Sequence, residues 1–485
     1  MAAQHKLSWN AWCTKLILIT IALSFLFFWV AKDQLYNREY TEGTTNANAF
    51  TEELSNGKLV EQYFTIPYNQ LEKISIFIGT YDRVNQGTLS VQILNGDMTL
   101  ASKEIQTAAL TADGYVDLLL DKPITGIKNK ELLMRVSANN AGAGNGVAIG
   151  YDSGETNVGR YQINSANKGT FFIDGQAKAG SIAISFQGKE ELLYGLIYWP
   201  FVAFAEIALG IICAWTIGLK RKGKRNIFLL LLQIYRQYEF LISQLVTRDF
   251  KTKYKRSLLG IFWSFLNPLL TMAVQYIVFS TIFKNNTPYY AVYLLTGILM
   301  FGFFIEAVGQ GIMSIVSNAA LITKVYLPKY IYPISRVLSS TVNLGISLIP
   351  LLLTMLIIGL PFTKALFLVP FGILFLIIFS MGMSLLLSAA MVFFRDTQFL
   401  WGIISMLWTY LTPIFYPENI LPPQIWAILR FNPMYQYIAF MRTIIIGGRS
   451  PDPVSYILCA ISSLFVLLLG LWVFKKNQDR FVFYL

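Results

Sequence analysis

Residues that could support covalent or metal chemistry are scarce in this sequence. Its single histidine, His5, lies in the N-terminal tail, and its cysteines, Cys13, Cys213 and Cys459, lie in or beside long apolar runs. A histidine-based metal site or a catalytic triad needs several such side chains in one place. We therefore predict neither, and we expect no disulfide to stabilise the chain.

One basic stretch imitates a nucleotide site. The sequence GLKRKGKR, residues 218–225, has the GxxxxGK spacing of a phosphate loop, but Arg225 stands where Ser or Thr should bind Mg²⁺. A long apolar run also precedes it, where a phosphate loop would follow a strand. We interpret it as a positive cluster at a cytoplasmic membrane face. The chain is thus predicted to carry no ATPase motif, catalytic residue, metal or cofactor of its own.

Two acids, Glu206 and Glu306, lie inside apolar runs, where a charge is costly and usually functional. They would suit a proton-coupled glycolipid flippase, although the sequence shows neither inverted repeats nor paired broken helices. We favour neutral, hydrogen-bonded glutamates at a helix interface. A polyprenyl-sugar glycosyltransferase is a second alternative. It would use Asp33, Glu39 or Glu42 after the first apolar run, but the sequence has no Asp-x-Asp pair for a metal-bound diphosphate.

Five bases and one acid fill the segment 248–256, directly before another apolar run. Arg248, Lys251 and Lys255 fall on one helical face. The opposite face carries apolar residues three or four positions apart: Tyr238, Leu241, Ile242, Leu245, Val246, Phe250 and Tyr254. This pattern predicts an amphipathic helix, within residues 226–258, along the cytoplasmic membrane surface. Its bases would either bind anionic lipid or also dock a cytoplasmic partner, and composition alone leaves both open.

The elements that hold these residues are mainly membrane spans. With 485 residues, 55% hydrophobic and 14% charged, the composition predicts a polytopic membrane protein. Eight apolar runs have span length: Leu16–Ala31, Leu193–Leu219, Leu259–Phe283, Tyr290–Val316, Val337–Leu360, Ala365–Phe394, Phe399–Tyr416 and Tyr456–Phe474. The first resembles a signal peptide without a cleavage site, so we expect residues 1–31 to form a cytoplasmic tail and an uncleaved anchor.

Lysine and arginine are distributed unevenly between the loops that connect these spans. With eight crossings and a cytoplasmic N-terminus, 20 bases lie inside, whereas only five, including Arg442, lie in the outer loops of the last six spans. The positive-inside rule then places both termini in the cytoplasm of a cell-membrane protein. The second span and its basic stop occupy residues 193–225.

Residues 32–192 have a different composition, with 14 bases and 19 acids, a net charge of −5 that leaves +17 for the rest of the chain. The basic character therefore belongs to the membrane part, and no nucleic-acid partner is expected. Alternating segments such as KISIFIGT and SIAISFQ predict an extracytoplasmic all-β sandwich or jelly roll. It is either a spacer or a glycan-binding domain with Tyr81, Tyr151 and Tyr161 as stacking candidates. We expect residues 36–188 to fold alone.

Three stretches of the second half follow one another in a recognisable order. They are RDFKTKYKRSLLGIFWSFLNPLL from Arg248, SIVSNAALITKVYLPKYIYPISRVL at Ser314–Leu338, and LTPIFYPENILPPQIWAILRFNPMYQYIAFMR at Leu411–Arg442. They resemble the entry segment, the cytoplasmic loop and the outer re-entrant segment of type-2 ABC transporter permeases that export polysaccharide, O-antigen, capsule or teichoic acid. The resemblance covers about residues 234–485 and says nothing direct about the two preceding spans or the β domain.

The resemblance implies a six-span exporter core at residues 259–485. In this family two such cores pair and a separate ATPase dimer binds beneath them. We therefore expect a homodimer, two ABC ATP-binding subunits that hold ATP and Mg²⁺, and a lipid-linked glycan as substrate. The implied ATPase-docking residues lie on the interfacial helix and in the coupling loop 317–336: Arg248, Lys251, Tyr254, Lys255, Lys324, Tyr326 and Pro328.

Prolines and aromatic residues complete the predicted site. Pro328 and Pro333 should break a continuous span and leave a short coupling helix flanked by Lys324 and Lys329. In the re-entrant segment 411–450, the predicted gate residues are Pro413, Tyr416, Pro433 and Tyr435. Aromatic side chains of the spans are candidates to stack on sugar along the substrate path: Trp263, Tyr276, Phe279, Phe283, Trp408, Tyr410 and Phe415.

Overall fold

A computed structural model describes the chain except for residues 1–8, 45–46, 111, 143, 154–169, 222–226, 256–257, 284–288, 325–326, 417–428, 430 and 485. The chain divides into two compact units. One consists of residues 33–197, and the other combines residues 1–32 with residues 198–485. Each unit has its own hydrophobic core. The β strands all fall within residues 33–197.

The unit of residues 33–197 is built from antiparallel strands. They are β1 Asn37–Thr44, β2 Ala49–Phe50, β3 Leu59–Thr65, β4 Gln70–Gly79, β5 Thr88–Asn95, β6 Met98–Gln106, β7 Gly114–Thr125, β8 Glu131–Asn139, β9 Ala148–Asp152, β10 Thr170–Ile173, β11 Gln176–Ala179, β12 Ser181–Ile182 and β13 Ile184–Glu191. One sheet has the order β1-β13-β4-β9-β12, with β2 beside β9 and β7 beside β4. The other has the order β11-β10-β3-β8-β5-β6. The predicted all-β domain is therefore a two-sheet sandwich.

Alternating burial produces this sandwich. Along β3 and β8, every second residue is buried and its neighbours are half-exposed, as period-2 patterning requires. The two ends of the domain meet, because β1 pairs with β13 from Asn37 opposite Glu191 to Thr44 opposite Ile184. An excised domain that stops at Gly188 would remove paired residues of β13. The predicted boundary at 188 is thus too short, and residue 192 is the better one.

The helices belong mainly to the other unit. They are α1 Trp9–Tyr36, α2 Tyr194–Arg221, α3 Ile227–Tyr254, α4 Phe262–Phe283, α5 Tyr290–Met313, α6 Ala319–Ile322, α7 Ile331–Ile358, α8 Val369–Phe393, α9 Thr397–Leu411, α10 Pro433–Ile445, α11 Pro453–Asn477 and α12 Phe481–Tyr484. Among the described residues, seven helices are long and apolar enough to cross a membrane, namely α1, α2, α4, α5, α7, α8 and α11. The helical, polytopic architecture agrees with the prediction.

The predicted span from Phe399 to Tyr416 differs in the structure. Its helix, α9, has 15 residues, about 22 Å at 1.5 Å per residue, which is shorter than the ~30 Å hydrocarbon core. The helix ends at Leu411 and Thr412 is extended, because the following Pro413 has no N–H to continue the helix. The apolar run continues past this proline, so the span predicted from it was longer at its C-terminal end than the helix.

The core of the membrane unit centres on α5, most of whose residues are buried among α4, α7, α8 and α9. Helices α8 and α11 approach each other closely at two glycines, since a Cβ on Gly470 would lie 2.3 Å from the Gly382 carbonyl oxygen. Helix α1 packs on the same core through Phe27, whose ring lies 5.2 Å from that of Tyr456. The first apolar helix is thus attached to the span bundle.

Candidate functional site

The most polar site in the membrane unit surrounds Glu306, a residue of α5. Lys253 of α3 places its Nζ 2.8 Å from Glu306 Oε1. The same carboxylate accepts hydrogen bonds from Gln310 Nε2 at 3.1 Å and Asn343 Nδ2 at 3.0 Å. This ion pair contrasts with the neutral state that we expected for Glu306. Glu206 is hydrogen-bonded at a helix interface, as predicted, since its carboxylate accepts a hydrogen bond from Thr20 of α1 at 3.1 Å.

Asn343 of α7 is the hub of this network. Its Oδ1 accepts hydrogen bonds from Tyr254 OH at 2.6 Å and from Ser264 Oγ at 2.5 Å. Four helices therefore meet through Glu306 and Asn343, namely α3, α4, α5 and α7. Buried polar networks are costly unless satisfied, and this one supplies a partner to each group named here.

A proline shapes the α4 side of the site. Pro268 lies inside α4 and has no N–H, so it leaves the carbonyl of Ser264 without its usual partner four residues on. The hydroxyl of Ser347 on α7 donates a hydrogen bond of 3.0 Å to that carbonyl. A neighbouring helix thus replaces the lost bond, which is how membrane helices tolerate proline.

These residues line a cavity of about 430 Å³ between α4, α5 and α7. Lys253 and Tyr254 line one end of it, and Thr271 and Ile298 line it farther along the spans. The volume lies within the range of about 300–1,000 Å³ that is usual for small-molecule sites.

A second polar recess, of about 480 Å³, opens beside the C-terminal end of α3. There Asp249 has a side chain only 5% exposed, and it lies between two arginines. Arg248 Nη2 is 2.9 Å from Asp249 Oδ1 and Arg336 Nη1 is 3.1 Å from Oδ2. Arg336 belongs to α7, so this triad joins the interfacial helix to the span bundle.

The exposure of α3 agrees with the predicted amphipathic pattern over its described side chains. Leu245 and Asp249 are buried, whereas Arg248, Lys251 and Lys255 are exposed. Tyr254, predicted to dock a partner, instead points its hydroxyl to Asn343 in the cavity network. We therefore reassign Tyr254 from the docking surface to the cavity.

The predicted coupling loop has a different helical pattern. A 3₁₀ turn, Val316–Asn318, and α6 come before Lys324, so the short helix ends at Ile322 and is not flanked by Lys324 and Lys329. Pro333 lies in the first turn of α7, where proline needs no helical partner for its missing N–H, so it breaks no helix. Pro328 is described and lies outside any helix. Tyr326 lies outside the described residues.

A small apolar cluster supports this loop. Ile315 and Ile322 pack with Phe474 and Phe481 from the C-terminal end of the chain, while Leu321 and Lys324 remain exposed. Lys329 Nζ donates to the Gln478 carbonyl at 2.5 Å. Burial lowers the pKa of Lys329, and Asp479 partly offsets that effect. We call the exposed residues Leu321 and Lys324 the ledge. The apolar cluster anchors the segment that carries them.

At the other end of the spans, Arg442 of α10 is buried, and it was expected in an outer loop. Its guanidinium donates to the carbonyls of Pro413 and Ile414, at 2.7 Å and 3.1 Å, and lies 3.3 Å from the Tyr293 ring centre. The segment after α9 is thus held to α5 and α10 by Arg442 together with two tyrosine hydroxyls of α5, those of Tyr290 and Tyr293. Sequence reasoning missed this role because the carbonyl partners carry no sequence signal.

Two of the predicted gate residues contact Arg442 or Tyr293 through their backbone carbonyls. Pro413 presents its carbonyl to Arg442, and the Tyr416 carbonyl accepts from Tyr293 OH at 3.0 Å. Pro433 is the first residue of α10, whose N-cap Asn432 accepts from the Met434 N–H. A further predicted gate residue is buried: Tyr435. Part of the predicted re-entrant segment, residues 417–428, lies outside the described residues.

The structure separates the predicted aromatic path into different places. Phe279 stacks on Phe415 at 5.4 Å, and Tyr410 lies 6.3 Å from Phe415. The ring of Tyr276 lies 5.7 Å from the ring of Tyr290. The remaining members lie elsewhere or are undescribed: Trp263 lines the cavity, Trp408 packs on Phe304 and bonds Asn432, and the side chain of Phe283 lies outside the described residues.

In the β sandwich, the predicted stacking tyrosines differ in exposure. Tyr81 is 49% exposed, with the Arg83 guanidinium 5.0 Å from its ring centre. Tyr151 is 8% exposed and its ring lies 5.0 Å from that of Phe171, so its assignment to a glycan-binding surface is wrong. Tyr161 lies outside the described residues. In the described part of the chain, no cluster of three metal-ligating side chains is present.

Comparison with known proteins supports a single family for the helical half. A family model described as ABC-2 type transporter matches residues 241–446. The O-antigen export system permease protein RfbA of Myxococcus xanthus is 30% identical over 251 residues, which is 50% of this chain and 95% of that protein. The chain belongs to the ABC-2 type transporter family.

Other members of the ABC-2 family match the same half. An O-antigen export system permease protein RfbA of Klebsiella pneumoniae is 28% identical over 243 residues, covering 50% of this chain and 93% of that protein. The polysialic acid transport protein KpsM of Escherichia coli is 25% identical over 242 residues, covering 49% and 93%. Membership implies a membrane setting and an ABC ATP-binding partner. The matches cover about half of this chain.

Proposed function

We propose that this chain is the membrane permease subunit of an ABC exporter that moves a lipid-linked polysaccharide, or a related cell-envelope glycan, out of the cytoplasm. The match to nearly the whole length of permeases named for O-antigen export carries the proposal. A separate ATP-binding subunit supplies the energy. The glycosyltransferase and proton-coupled flippase alternatives are not favoured, since the named relatives are export permeases and transport proteins.

The ATP-binding subunit docks, in our proposal, on the surface formed by the exposed face of α3 and the ledge around α6. Arg248 and Lys251 on α3, and Lys255 directly after it, supply positive charge, and Leu321 and Lys324 supply the ledge. Support comes from the way both parts are anchored, α3 by the Asp249 triad and the ledge by the Ile315 cluster. A partner that pushes on anchored parts moves the spans behind them.

The exporter is proposed to be a homodimer, in which two copies of the core at residues 259–485 enclose one path. In the described residues, α4 and α9 present many large apolar side chains outward, such as Ile277 of α4 and Phe399 and Ile403 of α9. Such faces contact either lipid or a second copy.

The basic loops support cytoplasmic termini and a β sandwich on the outer side.

Substitution of the ledge tests the docking proposal. We expect Leu321→Ser combined with Lys324→Glu to leave the chain folded, because both side chains are exposed. Loss of one hot-spot contact of about 2 kcal/mol would weaken ATPase binding about 30-fold. Binding is measured with the full-length permease in nanodiscs and the purified ATP-binding subunit, and export is measured as surface glycan in a permease-deleted strain.

The matched control is Lys364→Glu, the same charge change on an exposed lysine beyond the other end of α7. We expect this control to bind the ATP-binding subunit normally. Wild-type binding and export by the ledge variant would show that the partner docks elsewhere. A wild-type chain that restores no surface glycan to the deleted strain would contradict the export function itself.

A further inference from the structure

None of the residues assigned above to the docking surface lines the cavity between α4, α5 and α7. This cavity runs from Trp263 to Thr271 along α4, and these two residues are eight positions apart, which corresponds to about 12 Å at 1.5 Å per residue. It therefore extends from the α3 end of the spans into their interior. Polar groups at such depth are costly and generally face a cavity, a substrate or one another.

The charges that line this cavity cancel. Lys253 and Glu306 are paired at 2.8 Å, and these are its only ionisable side chains of opposite sign among the described lining residues. A cavity without net charge disfavours an anionic occupant such as a free diphosphate, because that occupant would meet no uncompensated cation. A neutral polar ligand avoids this cost.

The remaining polar lining consists of hydroxyl and amide groups. Ser264, Asn267, Thr271, Ser340, Asn343 and Ser347 all face the cavity. Hydroxyls and amides both donate and accept hydrogen bonds, as the hydroxyl groups of a sugar ring do. Ser264, Ser340, Asn343 and Ser347 already hydrogen-bond within the protein. An acyl chain could satisfy neither Asn267 nor Thr271, and burying these two polar side chains against it would cost free energy.

The rest of the lining is apolar and includes one indole. Trp263 is 45% exposed, and Leu299, Phe303 and Leu344 complete this part of the wall. A pyranose ring has a polar edge and a less polar C–H face, which suits a cavity lined by hydroxyl and amide groups together with an indole. The lining therefore matches a carbohydrate on both of its surfaces.

We propose that this cavity is a binding subsite for an uncharged sugar unit of the lipid-linked glycan, a proposal that rests on the export function proposed above. Asn267 and Thr271 would hydrogen-bond the sugar and Trp263 would contact its C–H face. Lys253 and Tyr254 of α3 also line the cavity. The helix that bears the docking charges thus also borders the sugar site.

Photolabelling of the full-length permease in nanodiscs tests this proposal. The probe is an octyl glucoside with a diazirine on the sugar, and the comparison probe is octanol with the same diazirine. We expect the sugar probe to label the peptides of α4 and α5 that line the cavity. Removing one hydrogen bond lowers affinity about fivefold, so the Asn267→Leu and Thr271→Val double variant should reduce labelling by at least about fivefold at sub-saturating probe.

Thr281→Val is the matched control, because Thr281 lies on the same helix but does not line the cavity. It should label and export like the wild type. Equal labelling of the cavity peptides by both probes would identify a lipid-filled groove and overturn the proposal, as would unchanged labelling in the double variant. Surface glycan is measured with the same variants. Failure of the wild type to export refutes the export function, whereas normal export by the double variant refutes only the sugar subsite.

Discussion

The Asp249 triad predicts that one carboxylate controls the attachment of α3 to the span bundle. We consider Asp249→Asn, which keeps the shape of the side chain and removes its charge. Breaking a fully buried ion pair costs about 3–5 kcal/mol, whereas an exposed pair contributes about 0–1 kcal/mol. Asp249 is 5% exposed, Arg336 24% and Arg248 47%. This intermediate exposure leads us to expect that Asp249→Asn lowers the free energy of detaching α3 from the span bundle by about 1–3 kcal/mol.

A loss of about 2 kcal/mol increases the population of molecules in which α3 is detached from the span bundle about 30-fold. Hydrogen exchange of the backbone amides of residues 245–254, in nanodiscs, reports this opening directly. Glu239→Gln is the control, because Glu239 is exposed on the same helix and loses the same charge. The variant should also hydrolyse ATP with its partner while exporting less glycan, since a loosened helix transmits less movement.

A double variant separates the ion pair from general destabilisation. Adding Arg336→Gln to Asp249→Asn removes the more buried of the two arginines that the single variant leaves uncompensated. The double variant should therefore exchange more slowly than the sum of the single effects predicts. Unchanged exchange in residues 245–254 of Asp249→Asn, together with normal export, would refute the reasoning. It would mean that lipid, and not the triad, holds α3 in place.

Two further predictions concern the helix contacts and the β sandwich. Gly382→Ala would place a Cβ 2.5 Å from the Leu467 nitrogen, and such overpacking costs about 1–3 kcal/mol. The thermal stability of this variant in detergent should therefore fall. The stability of the control Gly345→Ala should not, because its Cβ meets nothing within 4 Å. Equal stability of both variants would contradict the close packing of α8 and α11. The excised sandwich, residues 33–192, should fold alone and bind the exported glycan weakly through Tyr81; a folded domain without NMR shifts at millimolar repeat-unit concentration would exclude glycan binding.

Periodicity was enough to predict the elements whose stability comes from a single buried face. The amphipathic face of α3 and the alternation in the sandwich strands appear in the structure as the sequence indicated. Both depend on residue type at regular spacing, which the sequence displays directly. Tyr151 shows the limit of this reasoning, because β9 is buried on both faces along Ala148–Tyr151. Whether an aromatic residue of a strand is exposed depends on neighbouring strands.

The polar contacts of the site could not be predicted in the same way. Glu306 was recognised as an unusual acid, but its partner Lys253 lies 53 positions earlier and was counted among the surface bases. Arg442 donates hydrogen bonds to the backbone carbonyls of Pro413 and Ile414, and every residue possesses a carbonyl. Such contacts depend on how the helices pack, and local residue spacing does not determine that packing.

The positions of Asp249 and Lys253 indicate how docking and the cavity are connected. They are four residues apart, so they lie on one face of α3, about one turn from each other. Asp249 contacts Arg336 of α7, and Lys253 contacts Glu306 of α5. The opposite face of the same turn carries the exposed Lys251. Because a helical turn moves as a unit, a force applied to the exposed face displaces the two inward contacts together. A displaced Lys253 would leave Glu306 uncompensated at the cavity wall, so docking and the sugar site share one mechanical element.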